Sequence, residues 1–386
     1  MFAHDFYPSE GGIQTLMRSV VTSDVGVSWA VLTRRIEGDT SEDEALRVRR
    51  ATIRPRMRFV DKVWIRTRRS PFTVAELIAF QAEKKLLAIA REVRPRFLFA
   101  DQYWTALSVQ RVARRLGCPW GLGVYGKELL GVASQRESLL RDADLVLACS
   151  RFSRRLAIER GAREGQTRVL HPAVDTEAFS PQPDRSTARN RLGLDGKKVL
   201  LTVAHLIPRK GHALVIQALQ AIHAQYPDAI YLIVGRGAHE SHLRSLAQEM
   251  GVVDSVRFCG YVSNNELPDY YRAADVHVMP SLDDGDVEGF GISFIEAAAC
   301  GTPSIGSRSG GIPDAISDGL TGYLVEPNDV AGLADRIVCL LRDERLCRTM
   351  GDSARDSAVA NFSCQAFGRS LNAALGPLGA ATRVPD

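Results

Sequence analysis

Residues 283–296 read DDGDVEGFGISFIE, and this stretch joins an apolar run that ends at Pro280 to a helical stretch that begins at Ile292. A buried strand, a glycine-containing loop and a helix in this order form the repeating unit of a parallel α/β sheet. Loops that follow such strands lie along the carboxyl edge of the sheet, where ligands bind. The stretch therefore predicts an α/β fold with a binding site at the start of this helix.

The same alternation of apolar runs and helical spacing extends in both directions along the chain, which is typical of parallel sheets. In the first half, strands are predicted at 28–32, 97–100, 120–124, 145–148 and 168–171, with helices at 71–92 and 106–116. In the second half, strands are predicted at 198–203, 229–234, 256–259, 276–279 and 303–306, with helices at 213–225, 240–249, 265–273, 292–300 and 330–376.

Between the two halves, residues 175–196 are polar, contain prolines and lack an alternating apolar pattern, so they are predicted to be a linker. A chain of 386 residues is long for one core, which favours two domains. We predict a Rossmann-like domain over 1–178, a second over 179–360, and a final helix over 361–386 that returns to the first domain. Two doubly wound sheets facing each other would enclose a cleft along their carboxyl edges.

The composition is that of an ordinary globular protein, with 45% apolar and 24% charged residues. No run approaches the roughly 18 apolar residues of a membrane span, and the start of the chain lacks the features of a signal peptide, so a cytoplasmic protein is expected. The formal charge of +4 is too small to predict nucleic-acid binding. The seven cysteines include no C-x-x-C pair, which argues against structural zinc or a disulfide framework.

One segment, residues 47–69, is rich in arginine and lysine and is interleaved with apolar side chains. Such a segment can lie on the inner face of an anionic membrane or receive an acidic acceptor. A solvated connection beside a helix would have the same composition. Both interpretations stay open at this point.

Glu288 and Glu296 stand just before and within the helix that begins at Ile292. Gly289 and Gly291 between them let the backbone turn and expose N–H groups at the helix start, which bind phosphate. Two carboxylates at this spacing can hydrogen-bond hydroxyls of two different sugar rings. An acidic loop leading into an ordinary helix is the alternative.

Arg209, Lys210 and Gly211 follow the predicted strand at 198–203. Two cations and a glycine at the end of a strand suit a diphosphate, and the cations could neutralise the charge that develops on a leaving group. A basic helix cap that binds no ligand would have the same sequence pattern and is the alternative.

Other glycine-rich turns have weaker patterns. Gly11 and Gly12 permit close approach of the backbone to a phosphate or a sugar, although a tight turn without a ligand explains them nearly as well. Residues 309–313 could surround the nucleotide, and a base could be contacted by the main chain of Gly260, Tyr261 and Val262.

These motifs, in this order, resemble the family-4 retaining glycosyltransferases of the GT-B fold, and the resemblance covers nearly the whole chain. Residues 285–299 are similar to those of bacterial mannosyltransferases that act on phospholipid or polysaccharide acceptors. The resemblance rests on Gly11-Gly12, Tyr125-Gly126-Lys127-Glu128, Val174-Asp175, Pro208-Arg209-Lys210-Gly211, Val234-Gly235, the pair Glu288/Glu296, and Ser309-Gly310-Gly311.

The resemblance implies that Glu288 holds hydroxyls of the donor sugar, that Glu296 binds the ribose, and that Arg209 and Lys210 neutralise the diphosphate. It implies a front-face displacement without metal or cofactor, in which the departing phosphate helps to deprotonate the acceptor and Glu288, Arg209 and Lys210 are the catalytic set. The other donor-binding positions are Gly11, Gly12, His205, Gly260, Tyr261, Val262, Phe290, Gly291 and Ile292.

Two positions depart from the family pattern. His205 stands where many relatives have an arginine. A histidine can be neutral at pH 7, so neutralisation of the phosphate charge is expected to depend more on Arg209 and Lys210. A tyrosine replaces the histidine that many relatives have in the first domain. Contacts with the acceptor are expected there, from Tyr103, Tyr125 and Glu128.

The predicted function is transfer of a mannosyl, glucosyl or N-acetylhexosaminyl group from a UDP- or GDP-sugar to a hydroxyl of a lipid, polysaccharide or small molecule, in cell-envelope or natural-product glycosylation. A sugar-nucleotide 2-epimerase of the same fold and a non-catalytic nucleotide-sugar-binding protein are the alternatives. A dinucleotide-dependent oxidoreductase is disfavoured, because the nearest echo of G-x-G-x-x-G, residues 235–237, lies mid-domain and not after the first strand.

Overall fold

The structure, a computed structural model, describes residues 1–3, 12–23, 28–34, 43–51, 72–130, 134–182, 184–283 and 285–379. The chain forms two compact units, one comprising Met1–His171 and the residues from Phe367 onward, the other comprising Pro172–Ala366. Each unit is built on a parallel sheet, so the predicted α/β class with two Rossmann-like domains is confirmed. No helix in the described ranges combines the length and the apolarity that a membrane crossing requires.

The sheet of the first unit has the strand order β3-β2-β1-β4-β5-β6-β7, with parallel pairing throughout. The described strands are β1 (Phe2–Ala3), β2 (Val31–Arg34), β3 (Val48–Ala51), β4 (Leu98–Ala100), β5 (Trp120–Val124), β6 (Leu145–Ala148) and β7 (Thr167–Val169). The described helices are α1 (Gly12–Thr22), α2 (Phe72–Val93), α3 (Tyr103–Leu116), α4 (Lys127–Leu130), α5 (Ser134–Asp142) and α6 (Arg151–Glu159), together with the 3₁₀ turn Glu164–Gln166.

The sheet of the second unit has the strand order β10-β9-β8-β11-β12-β13, also parallel throughout. Its strands are β8 (Lys198–Val203), β9 (Ala229–Val234), β10 (Val256–Gly260), β11 (Val276–Met279), β12 (Ser304–Ser307) and β13 (Gly322–Val325). Its helices are α7 (Ser186–Leu192), α8 (His212–His223), α9 (Glu240–Glu249), α10 (Leu267–Ala273), α11 (Ile292–Ala299), α12 (Ile312–Ala315), α13 (Val330–Arg342) and α14 (Glu344–Ser357), with 3₁₀ turns at Pro208–Lys210 and Val253–Ser255 and a π turn at Ala358–Phe362. Helix α15 (Cys364–Gly379) begins in this unit and continues into the first.

Apolar runs explain why the central strands form where the sequence predicts them. The side chains of β8, β9 and β11 are buried almost completely, as a parallel sheet covered on both faces requires. Helix α8 buries Val215, Ile216 and Leu219 against this sheet. The core of the second unit therefore lies on both sides of β8.

Two regular elements lie in segments where the sequence predicts none. Helix α7 lies within the predicted linker 175–196; its Arg189 donates to the carboxylate of Asp275 at 2.7 Å. This tertiary contact stabilises the helix, which has no apolar periodicity from which it could be predicted. Strand β3 lies at the start of the basic segment 47–69, and the remainder of that segment lies outside the described residues.

The long helical stretch predicted over 330–376 is interrupted. Asp343 lies between α13 and α14, and its carboxylate accepts a hydrogen bond from the backbone N–H of Leu346 at 2.9 Å. An aspartate in this position caps a new helix and ends the preceding one. A second interruption lies after the π turn, which ends at Phe362, because Ser363 has extended backbone.

Candidate active site

The predicted donor motifs of the second unit follow two strands that are neighbours in the sheet. The strand order reverses between β8 and β11, which pair in parallel. Helices leave such a reversal toward opposite faces, and this opens a crevice at the carboxyl ends of the two strands. Residues 208–211 follow β8 and residues 285–291 follow β11, so both motifs lie beside this crevice.

Close backbone packing holds the two loops together. Gly211 has a φ of 73°, and a Cβ at this position would lie 2.0 Å from the carbonyl oxygen of Pro280. The N–H of Leu282 donates to the carbonyl of Arg209 at 2.7 Å. A side chain at Gly211 would separate the loops, so this glycine is required by a close approach and not merely by a turn.

Glu288 is the anionic centre of the site. Its Oε2 accepts a hydrogen bond from Nη1 of Arg209 at 2.6 Å and another from Nζ of Lys210. Arg209 also places Nε 3.2 Å from Oδ2 of Asp286. All three side chains of the Glu288 ion-pair network are mostly buried, with exposed fractions of 12% for Glu288, 18% for Arg209 and 13% for Lys210.

Burial alone would raise the pKa of Glu288, but the cations of Lys210 and Arg209 outweigh it and hold this pKa below the ordinary value. Both cations use the same oxygen, Oε2, and no described residue donates a hydrogen bond to Oε1. The carboxylate is therefore ionised, and two cations fix its Oε2.

The turn at Ser309-Gly310-Gly311 holds the backbone of Glu288. The N–H of Gly311 donates to the carbonyl of Glu288 at 2.9 Å. Gly310 has a φ of 55°, and a Cβ there would lie 2.3 Å from the same carbonyl oxygen. This motif thus contacts the main chain of the glutamate, a role that its sequence does not indicate.

Helix α11 begins directly after the loop that carries Glu288. Phe290 is buried and packs edge-on against Phe362, with ring centroids 5.6 Å apart. Gly291 precedes the helix, and no side chain caps the N–H groups of the first turn, which starts at Ile292. A helix start of this kind favours a phosphate or another electron-rich ligand.

Glu296 lies one turn further along α11. The hydroxyl of Tyr271, on α10, donates to its Oε2 at 2.6 Å. Burial raises the pKa of Glu296, and the hydrogen bond from Tyr271 opposes this shift. Glu288 and Glu296 therefore have different environments, since only Glu288 is paired with cations.

The other predicted donor residues of the second unit lie after β8 and β10. His205 is exposed and directly precedes the Arg209 loop. Gly260 ends β10, and its carbonyl accepts a hydrogen bond from the N–H of Gly235 at 2.7 Å. Tyr261 is 47% exposed, with the guanidinium of Arg236 5.7 Å from its ring centroid, and Val262 follows it.

In the first unit, the predicted acceptor residues have partners within the fold. The hydroxyl of Tyr125 donates to the backbone carbonyl of Asp101 at 2.6 Å, and the Glu128 carboxylate accepts from the backbone N–H of Tyr125. Tyr103 is buried and packs edge-on against Trp104. These contacts are structural, and the acceptor role of the three residues stays a prediction.

The glycine turn and the basic segment of this unit are only partly described. Gly11 lies outside the described residues and Gly12 starts α1. Two arginines of β3 are paired with acids: Arg49 with Glu92, and Arg50 with Asp43 through two bonds of 2.6 and 2.7 Å.

Sequence reasoning missed two residues of this site. Asp286 belongs to a run of acidic residues, and their spacing does not indicate which of them lies beside Arg209. Tyr271 is an aromatic residue on an amphipathic helix, a pattern that normally indicates core packing. Across the described ranges, no group of three or more histidine, cysteine, aspartate or glutamate side chains is arranged to hold a metal ion.

Comparison with known proteins identifies the family. The family described as Glycosyl transferases group 1 matches residues 184–357. A GDP-mannose-dependent alpha-(1-6)-phosphatidylinositol monomannoside mannosyltransferase of Mycobacterium tuberculosis (strain CDC 1551 / Oshkosh) is 30% identical over 390 residues, which cover 94% of each chain. The chain is a group 1 glycosyltransferase. As a member of this family it is an enzyme, a hexosyltransferase.

Two further comparisons characterise this glycosyltransferase. The protein of the same name from Mycolicibacterium smegmatis is 37% identical over 234 residues, which are 60% of this chain and 61% of that protein. A crystal structure of Anabaena HepE in complex with UDP and glucose matches with a TM-score of 0.79 and 20% identity, covering 97% of this chain and 99% of the other. The GT-B fold that the sequence predicts for the glycosyltransferase is therefore confirmed.

Proposed function

We propose that this glycosyltransferase moves a mannosyl group from GDP-mannose to a hydroxyl of a phosphoinositide-type glycolipid, with retention of anomeric configuration and without a metal ion. The observation that carries the proposal is the Glu288 ion-pair network, in which two buried cations meet one carboxylate at the crevice of the second sheet. The choice of donor and acceptor is supported by the relatives, whose names specify GDP-mannose and phosphatidylinositol monomannoside.

The cations provide the charge that a diphosphate needs. Arg209 and Lys210 are mostly buried, and buried cations attract a phosphate more strongly than exposed ones do. In this proposal they bind the diphosphate while remaining beside Glu288, and the uncapped start of α11 adds its N–H groups. Enough positive charge then surrounds the leaving group to dispense with a divalent cation.

Glu288 would orient the sugar. Oε2 is fixed by the two cations, and Oε1 is directed to a sugar hydroxyl in the proposed complex. A carboxylate kept ionised by Lys210 and Arg209 accepts such a hydrogen bond well. Fixing the ring positions the anomeric carbon for attack, and positioning of this kind accounts for much of an enzyme's rate enhancement.

The proposed step breaks one bond and forms one on the same face of the sugar. The bond between the anomeric carbon and the β-phosphate oxygen breaks, and its electron pair stays on GDP. The acceptor oxygen bonds to the anomeric carbon, and its proton passes to the departing phosphate. Arg209 and Lys210 stabilise the charge that accumulates on that phosphate.

A lipid acceptor would require the enzyme to work at a membrane surface, and the basic segment 47–69 is the proposed contact. Lysine and arginine near an anionic leaflet each contribute about 1 kcal/mol. The described arginines of β3, Arg49 and Arg50, are paired with acids. Co-sedimentation with phosphatidylinositol vesicles, at low and at high salt, tests this contact.

Thermal stabilisation by GDP, UDP, ADP, TDP and NAD, with and without EDTA, is the first test of the donor. We expect the largest shift with GDP, unchanged by EDTA. Incubation with GDP-mannose and phosphatidylinositol monomannoside should then give a mannosylated lipid whose new linkage has the anomeric configuration of the donor. A shift with NAD alone overturns the proposal. Formation of an epimerised sugar nucleotide, or release of an epimerised free sugar, favours a sugar-nucleotide 2-epimerase, and GDP binding without transfer to any acceptor favours a non-catalytic binding protein.

A further inference from the structure

Tyr271 makes a polar contact with the predicted ribose-binding carboxylate. Its side chain is fully buried on α10, and its hydroxyl donates to Oε2 of Glu296 at 2.6 Å. No other described residue donates a side-chain hydrogen bond to this carboxylate. One oxygen of Glu296 is thus held by the protein and the other is left for a ligand.

The ring of Tyr271 is held on several sides. Phe179 packs edge-on against it with centroids 6.0 Å apart, and His277 does so at 5.8 Å. The backbone carbonyl of Tyr271 accepts a hydrogen bond from the hydroxyl of Thr302 at 2.8 Å. The hydroxyl therefore cannot swing away from Glu296 without displacing buried neighbours.

His277 is itself fixed and uncharged. Its Nδ1 lies 3.1 Å from the hydroxyl of Ser304, and burial, with a smaller effect of Lys210, lowers the pKa of His277 to about 3. A neutral imidazole beside the ring adds no charge that would compete for Glu296. Tyr271 is then the described group that sets the position of this carboxylate.

The hydrogen bond also favours the ionised form of Glu296. Burial raises the pKa of Glu296 above its ordinary value, and the hydrogen bond from Tyr271 lowers it again in part. Burial, and then the nearby Glu296, raise the pKa of Tyr271 well above its ordinary value, so its hydroxyl remains a donor at every working pH. An ionised Glu296 accepts hydrogen bonds from two ribose hydroxyls, whereas a protonated one accepts them poorly.

We propose that Tyr271 is a positioning residue for donor recognition, fixing Oε2 of Glu296 so that its other oxygen meets the ribose hydroxyls of the nucleoside diphosphate. The inference rests on the proposed function, since it takes the ligand to be a nucleotide with an intact ribose. Tyr271 does not touch the reacting atoms, and it acts through Glu296.

The test compares GDP with 2′,3′-dideoxy-GDP, which lacks the ribose hydroxyls, by calorimetric titration of the full-length protein. The wild type should bind GDP at least about tenfold more tightly, since a lost hydrogen bond to a charged group costs about 1.5–3 kcal/mol. In Tyr271→Phe the ratio of GDP affinity to dideoxy-GDP affinity should shrink several-fold. The affinity for GDP should fall, and the affinity for the dideoxy compound should stay the same. Glu296→Gln should shrink the ratio in the same way.

Tyr231→Phe is the matched control. Tyr231 is another fully buried tyrosine of the same unit, and its hydroxyl lies 2.7 Å from that of Thr202 instead of a carboxylate. This variant should lose stability but keep the wild-type ratio. If Tyr271→Phe does not fold, Phe179→Leu is the second test variant. It removes a ring that packs against Tyr271, so it should reduce the affinity ratio by a smaller factor.

The pH dependence separates positioning from a general structural effect. Because protonation of Glu296 removes its charge and makes it a weaker hydrogen-bond acceptor, the ratio of GDP affinity to dideoxy-GDP affinity should fall at low pH in the wild type, and in Tyr271→Phe this fall should occur at higher pH. A wild-type ratio in folded Tyr271→Phe, or a wild type that binds both compounds equally, overturns this inference and leaves the transferase proposal intact. Absence of binding of GDP and UDP to the wild type overturns the proposed function and this inference with it.

Discussion

Nη1 of Arg209 lies 2.6 Å from Oε2 of Glu288, although the two residues are 79 positions apart in the chain. The pair joins the loop after β8 to the loop after β11 at the reversal of the strand order. The two cations therefore already have an anionic partner within the fold. In the proposed function a diphosphate adds to this ion pair, so we expect the charge of Glu288 to affect both donor affinity and turnover.

Glu288→Gln should separate donor binding from catalysis. The amide keeps the shape of the side chain but removes the negative charge beside Arg209 and Lys210, so GDP should bind at least as tightly as to the wild type. Transfer should fall by roughly 100-fold or more, because the charge-assisted hydrogen bond that Glu288 is proposed to make to the reacting sugar is weakened. Calorimetric titration and initial rates measure the two effects.

Asp283→Asn is the control for this variant. Asp283 is an exposed acid in the same loop, so its neutralisation removes the same charge at a greater distance from the cations. Its rate should match the wild type. Wild-type turnover by folded Glu288→Gln would remove Glu288 from the mechanism.

Lys210→Met should weaken GDP binding by about 10- to 100-fold, the loss expected for one hydrogen bond to a charged group. Methionine retains much of the apolar stem, so packing changes little. The effect should appear with GDP but not with guanosine, which carries no phosphate. Lys197→Met, an exposed lysine of the same unit, should leave both affinities unchanged, and equal losses for GDP and guanosine would contradict a phosphate contact.

Gly310→Ala should damage the site through the backbone of Glu288. The new Cβ would lie 2.3 Å from the carbonyl oxygen of Glu288, at a φ of 55°. We expect a stability loss of about 1–3 kcal/mol together with a fall in turnover. Gly319→Ala is the comparison, since Gly319 also has a positive φ, 76°, but a Cβ there meets nothing within 4 Å.

Gly319→Ala should therefore lose stability from backbone strain alone, about 1 kcal/mol, and keep its turnover. Chemical denaturation and rate measurements on both variants provide the comparison. Equal turnover in the two would mean that the position of the Glu288 backbone does not matter for activity.

His212→Leu should reduce the acid sensitivity of the protein. Burial, and then Lys210 and His239, lower the pKa of His212 from 6.5 to about 3, and neither ring nitrogen has a hydrogen-bond partner among the described residues. A histidine with a lowered folded pKa contributes stability that is present above pH 6.5 and is lost as the pH falls toward 3. The slope is at most about 1.4 kcal/mol per pH unit.

Melting temperatures between pH 8 and pH 4 test this expectation. The gap between His212→Leu and the wild type should widen in favour of the variant as the pH falls below 6.5. Parallel curves for His212→Leu and the wild type would show that His212 takes up no proton on unfolding.

The sequence indicates the parallel strands of the second unit well, because β8, β9 and β11 are apolar runs of the expected length bounded by glycine-containing loops. It also indicates that Arg209, Lys210 and Glu288 follow strands, and hence share one edge. It does not indicate that Arg209 and Lys210 both donate to one oxygen of Glu288. That contact requires β8 and β11 to be neighbours in the sheet.

Two other features lie beyond sequence reasoning for a similar reason. The helix at Ser186–Leu192 is held by the contact of Arg189 with Asp275, which local propensity does not reveal. The contact of Tyr271 with Glu296 depends on the packing of α10 against α11. In each case the decisive partner is distant in the chain, and a residue pattern carries no information on the distance between two side chains.

The order of strands in the second sheet also determines when the site appears during folding. β8 pairs with β9, which follows it in the chain. It also pairs with β11, from which it is separated in the sequence by β9, β10 and their helices. Contacts between distant parts of a chain form slowly, and the two cations meet their carboxylate only when β8 and β11 have paired. A nucleoside diphosphate could then recognise only the finished unit, and its effect on kinetics should be to slow unfolding while leaving the folding rate unchanged.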